Sequence, residues 1–147
     1  MILTSPSFQH NEPMPLKFSC QGEGISPELI ISEIPASTRS LTLICDDPDA
    51  PNGGFTHWIM VNIPPTTKTI PENSSAGQVL PNTRGNLEFA PACPPSGNHH
   101  YIFKLFALNA TLNITQDISR ADLDKEISQH LIEKTELIGM YQKNTHS

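Results

Sequence analysis

Three carboxylates fall within four residues, Asp46, Asp47 and Asp49, broken by Pro48 and followed by Pro51. They stand at the end of the apolar run "SLTLIC". A solvated turn needs one Asp or Gly, and carboxylates this close disfavour one another's charge, so the cluster implies partners that offset the cost. Donors are present at two other loop-to-strand junctions. His57 opens "HWIMVNI" just after Gly53 and Gly54, and "CPPSGNHHY" delivers His99, His100 and Tyr101 behind a loop stiffened by Pro94 and Pro95. Imidazoles and a phenol, delivered here from rigid junctions, both donate and accept hydrogen bonds. Asp47, Asp49, His57 and His99 are also suitable metal ligands, so a metal-dependent hydrolase is the alternative, although no HExxH or comparable spacing supports it. A nucleophilic hydrolase has still less support. There is no GxSxG elbow, and Cys93 in "APACPPSG" has no basic neighbour in sequence.

The elements that would hold these groups are mostly strands. "SLTLIC" (Ser40 to Cys45), "HWIMVNI" (His57 to Ile63) and "YIFKLFAL" (Tyr101 to Leu108) are short β-rich runs. Leu16 to Ser19 and Leu29 to Ile34 are weaker strand candidates. In an extended "NHHYIFKLFAL", His99, Tyr101, Phe103 and Leu105 share one face and His100 and Ile102 the other. His99 and Tyr101 therefore form the pocket unit, and His100 is a surface residue. The same alternation makes Trp58 a core residue turned away from His57. Between Ile63 and Tyr101 lies a long polar, proline-rich stretch of extended segments and loops of the kind that often carry function. Ser119 with Asp122 three residues on resembles a capping box, and Leu123, Ile127 and Leu131 recur at four-residue spacing. That pattern predicts a helix from about Arg120 to Lys134 with an acidic, solvated face.

The remaining properties exclude several classes. The 147 residues suit one domain, 1–147, with scattered prolines chopping the chain and no internal repeat. A net charge of −6 excludes a general nucleic-acid binder. No apolar run approaches the roughly 20 residues of a membrane span, and the N-terminal stretch lacks the pattern of a signal peptide. Cys20, Cys45 and Cys93 are odd in number and lack CxxC spacing, so they read as reduced thiols of a cytoplasmic protein with neither disulfide nor zinc knuckle. An acidic chain with apolar strand edges also admits a homodimer.

"DDPDAP" followed by "HW", and then "CPPSGNHHY", resemble the two signature regions of the phosphatidylethanolamine-binding proteins, in particular their bacterial Raf-kinase-inhibitor-like branch. "SPEL" at Ser26 to Leu29, "NIP" at Asn62 to Pro64, "LFAL" at Leu105 to Leu108 and "GMY" at Gly139 to Tyr141 extend the likeness over roughly residues 15 to 141. The resemblance implies a mainly β fold, two antiparallel sheets in a Greek-key arrangement with one or two short helices. It also implies a small anion-accepting pocket at one end and no cofactor or catalytic role. By position, the pocket would use Asp47, Pro51, His57, Pro95, His99 and Tyr101, with Tyr141 closing the rim. Its ligand would be phosphate or phosphoethanolamine, and a protein kinase or protease a partner.

Beside His57 or His99, Asp47 would accept from one imidazole nitrogen and leave the other aimed at the ligand. Asp46 and Asp49 would turn outward or brace the loop through Asx-type bonds. The chain departs from the family pattern at three places. His100 replaces a common Arg, Ile31 a common Trp, and "FAPA" (Phe89 to Ala92) the usual "YGGP".

Overall fold

The computed structural model describes residues 1–143. In chain order the elements are β1 (Ile2–Thr4), β2 (Glu12–Pro13), β3 (Leu29–Ser32), β4 (Ser40–Asp47), β5 (Phe55–Ile63), β6 (Thr69–Ile70), β7 (Gln78–Leu80), β8 (Asn98–Leu108), α1 (Arg120–His130) and β9 (Leu131–Gln142). A three-stranded sheet has the order β1-β3-β6, and a six-stranded sheet the order β2-β9-β8-β4-β5-β7. Two sheets form as expected, and their pairings are antiparallel apart from the two-residue edge strand β2, which runs parallel to β9. Pro13, which cannot donate to a ladder, sits in this two-residue edge strand.

Both faces of the six-stranded sheet are covered, and that explains the nearly continuous apolar runs of β4 and β5. Leu41, Leu43, Met60, Phe103 and Leu105 pack with Leu29, Ile31 and Ile70 of the small sheet. On the opposite face Ile44, Ile59, Val61 and Leu108 meet Leu123 and Ile127 of α1. The Ser119 hydroxyl accepts from the Asp122 N–H and caps the helix.

Three sequence expectations need correction. The helix ends at His130, and Leu131 begins the longest strand in the chain, β9. Leu131 is 43 % exposed and adds nothing to the apolar stripe. Leu131 to Lys134 read as the last turn of the helix, with Glu133 on its solvated face, but pairing of β9 with β8 along its length outweighs that local pattern. Leu16–Phe18 is a single 3₁₀ turn rather than a strand, while Leu29–Ser32 is a strand as expected.

Cys20 and Cys93 are joined in a disulfide across 73 residues, leaving Cys45 as a buried free thiol. An odd count without CxxC spacing hid a pair that only the fold brings together. The reduced-thiol reading is overturned, and with it the argument from cysteines for a reducing compartment. Among the described residues, no helix is long and apolar enough to cross a membrane.

Closing a loop this long restricts the unfolded chain strongly. Replacing Cys20 and Cys93 together by Ser should lower unfolding free energy by about 4 kcal/mol on the chain-entropy model. Urea unfolding of the variant beside the oxidised protein measures the difference.

Candidate functional site

Asp46 and Asp47 end β4 side by side, but their side chains point to opposite faces, and each has its own partners. Asp46 meets Arg120 from α1 through Nη1 at 2.9 Å and Nη2 at 2.7 Å, Lys104 Nζ at 3.0 Å and the Thr56 hydroxyl at 2.8 Å. Burial pushes its carboxyl up, but the Arg120 hydrogen bonds and charge, with Lys104 and Thr56, hold it at about 2. The resulting stabilisation is present above the ordinary carboxylate range and is lost as pH falls toward 2. Asp49 turns outward, where its Oδ2 accepts from both the backbone N–H and Nδ1 of His100 at 2.7 Å. His100 is thus an exposed clasp on the acidic loop, on the face that strand alternation assigns it.

Asp47 faces inward and is 2 % exposed. Its Oδ2 accepts from His99 Nδ1–H at 2.6 Å, and its Oδ1 accepts from the Asp49 N–H at 2.9 Å in an Asx-type turn. Of the two imidazoles, His99 is therefore the one Asp47 orients. The bond keeps the proton on Nδ1 and leaves Nε2 for other contacts.

His57 reaches the same space through a β-bulge. Between β4 and β5 the register passes from Cys45↔Trp58 to Asp46↔Thr56, which leaves His57 as the extra residue. A bulge re-aims side chains, and here it puts His57 on the same face as Trp58. Trp58 packs in the core between the sheets, while the His57 ring lies 5.1 Å from that of Tyr101 on the same side. The expectation that alternation turns Trp58 away from His57 is wrong, because the bulge interrupts the alternation. His57 Nδ1–H donates to the Ala90 carbonyl at 2.7 Å. Burial lowers its basicity, against the pull of the Ala90 carbonyl and Asp47, and the charge of Arg84 lowers it further.

Tyr101 is 1 % exposed, and among the described residues its buried hydroxyl has no hydrogen-bond partner. Burial, then the charge of Asp47, raises its pKa well above the usual phenol value, so it stays a proton donor. A buried hydroxyl left unmatched costs on the order of 1–3 kcal/mol, and such groups are rare in folded proteins.

Asp47, His57, His99 and Tyr101 line one cavity of about 130 Å³, walled also by Pro51, Phe55 and Pro95. That is well below the 300–1,000 Å³ typical of drug-sized ligand sites, and suits a group of a few atoms. Of the residues singled out from the sequence, Tyr141 does not line it. Tyr141 pairs with His99 across β8 and β9, but its hydroxyl donates to Gln21 Oε1 and lies 2.8 Å from Ser19 Oγ. It braces the segment carrying Cys20, whose disulfide partner Cys93 forms part of the cavity wall. Arg84 and Phe55 line the cavity and were not anticipated. Phe55 stands just ahead of the run "HWIMVNI", and Arg84 lies in the polar stretch between Ile63 and Tyr101, where "NTRG" signals a tight turn without showing where the turn points.

A family model described as phosphatidylethanolamine-binding protein matches residues 4–142. The chain belongs to the phosphatidylethanolamine-binding protein family. A UPF0098 protein of Methanothermobacter thermautotrophicus is 37 % identical over 97 % of this chain and 99 % of its own. One from Chlamydia trachomatis is 38 % identical over 98 % and 100 %. Among solved structures, the phosphatidylethanolamine-binding protein homolog CT736 of Chlamydia trachomatis superposes with a TM-score of 0.91 at 38 % identity, covering 97 % of both chains. Escherichia coli YbcL, a member of the same family, gives 0.88 at 29 % identity, covering 97 % and 98 %.

Within this family fold, the acids and histidines are paired off rather than gathered. Among the described residues, no group of three or more His, Cys, Asp and Glu is arranged to hold a metal ion. Asp49, a ligand in the metal-hydrolase alternative, is clasped outside by His100.

The lowered basicity of His57 has two consequences. The unfolded ring binds a proton below its ordinary value of 6.5, whereas the folded ring resists until lower pH, so stability falls as pH drops below 6.5 and is unaffected above it. An anion in the cavity would favour the protonated ring, so that binding would be accompanied by proton uptake at His57. Sulfate keeps its charge across this range, and calorimetry should find it bound more tightly at about pH 5.5 than at about pH 8, with proton uptake at the lower value. Tighter binding at the higher pH would show that His57 does not face the anion.

Proposed function

We propose that this protein binds a phosphate-type anion, free or as a phosphoethanolamine-type head group, and acts as a binding module rather than an enzyme. The observation that carries the reading is the buried Tyr101 hydroxyl, which lacks a partner among the described residues and lies in a small cavity beside an imidazole that Asp47 orients. The phenol would donate to a phosphate oxygen. His99 Nε2–H, when the ring is protonated, and the protonated form of His57 would do the same. A zwitterionic head group would set its ammonium against the remaining acceptor capacity of Asp47.

Membership of the family supports ligand binding in general. The likeness to its Raf-kinase-inhibitor-like branch extends the proposal to a protein kinase or protease partner. Such a partner would meet the cavity rim and the Asp49–His100 clasp, both at the surface. Inorganic phosphate would compete with a partner that inserts an acidic group into the cavity.

Phosphate titration followed by histidine NMR signals tests the core of the reading, with His99 shifting and His100 unmoved. His99→Ala should weaken phosphate binding by about 1.5–3 kcal/mol, the worth of a hydrogen bond to a charged group. His100→Ala should change it by less than about 0.5 kcal/mol, as for a surface substitution. The reverse pattern would contradict the placement of the site.

A further inference from the structure

Arg84 is the one fixed cation among the described residues lining the cavity. Its guanidinium carbon lies 5.9 Å from the centre of the Phe55 ring, and among the described residues no carboxylate pairs with it. The Phe55 ring is 4.6 Å from that of His57, which is 5.1 Å from Tyr101. A ladder of rings thus runs from the guanidinium at the mouth to the phenol within.

The position of Arg84 is set by its backbone. Asn82, 6 % exposed, accepts at Oδ1 from the N–H groups of Arg84 at 2.9 Å and Asn86 at 3.2 Å, and its Nδ2 donates to the Glu88 carbonyl at 2.9 Å. Gly85 follows at φ 83°, a conformation that side chains rarely adopt. The turn holds the base of Arg84 at the cavity edge, and Phe55 carries its head.

The interior alone is poorly suited to a doubly charged ligand. Asp47 is an anion within it, and His57 resists protonation. Tyr101 and His99 contribute hydrogen bonds but no fixed positive charge. A phosphodiester, with one charge, is served by those donors. A phosphomonoester is close to a dianion above its second ionisation, near roughly pH 6. Its second charge needs a cation, and a guanidinium offers the planar pair of donors that a terminal phosphoryl oxygen pair accepts.

We propose that Arg84 is a specificity-determining residue that makes this cavity select small phosphomonoesters over phosphodiesters. The inference rests on the anion-binding reading above and narrows its ligand class. Intact phospholipids, which are diesters, would then be the weaker ligands, and free head groups or other small phosphorylated molecules the stronger.

Phosphoethanolamine and glycerophosphoethanolamine share the ammonium and differ by the second ester, which makes them a matched pair. At about pH 8, where His57 is neutral, calorimetry should find the monoester bound about tenfold more tightly by the unaltered protein, the scale of one charge-assisted contact. Arg84→Gln should bring the ratio close to one by weakening the monoester alone, and Arg84→Lys should retain part of the preference. Arg84 is exposed, so its variants should melt like the parent protein. An unchanged ratio, or an equal loss for both ligands, would overturn the assignment while leaving the cavity as an anion site. Failure of the parent protein to bind either ligand would overturn the anion reading itself.

Discussion

Phe103 and Leu105 of β8 are fully buried between the sheets, and side chains along a strand alternate with a period of two. Their burial therefore commits Tyr101 and His99 to the same inner face. A slip of one residue would expose both hydrophobic side chains, move His99 outward and bring His100 in, so the register cannot drift without unpacking the core. Continuous pairing with β4 on one side and β9 on the other pins it further. The site inherits its precision from this constraint, since everything polar in it is placed relative to the inner end of β8.

Two local devices complete the arrangement. The bulge at His57 lets two consecutive residues of β5 face inward, one as core and one as site, which plain alternation forbids. The division of Asp46 and Asp47 between faces separates a carboxylate that ties elements together from one that lines the cavity. Asp46 ties α1 to the sheet through Arg120, while Asp47 is spent on orienting His99. Burying a carboxylate is costly, and a bond of 2.6 Å from His99 with a second from the Asp49 N–H is the satisfied geometry that makes it tolerable. Removing either partner alone would leave the other stranded. Cys20–Cys93 and the Tyr141 hydroxyl then hold the opposite wall from behind.

Much of this was legible in the sequence because it depends on local period and residue type. The alternation of "NHHYIFKLFAL" correctly separates His99 from His100, and the two proline-bounded signatures lead to the family. What escaped depends on contacts distant in sequence. Cys20 and Cys93 are 73 residues apart and meet through the fold, with no spacing rule to announce them. Leu131 extended a four-residue spacing that β9 interrupts, since pairing with β8 outweighs the local helical signal. The His57 bulge arises from a mismatch between two strands, which neither strand shows by itself. Arg84 belongs to a turn whose direction is set by the buried Asn82 side chain.

The account turns on the Tyr101 hydroxyl being kept for a ligand at some cost to the fold. Tyr101→Phe separates the two roles, because it removes the oxygen and preserves the ring against His57. Urea unfolding without ligand, beside calorimetric phosphate binding, is the direct measurement. The account predicts stability equal to or above the parent protein's, since an unmatched buried hydroxyl is gone, with phosphate affinity reduced about tenfold or more. A destabilised variant that binds phosphate as well as the parent would contradict it, and would make the hydroxyl a structural group.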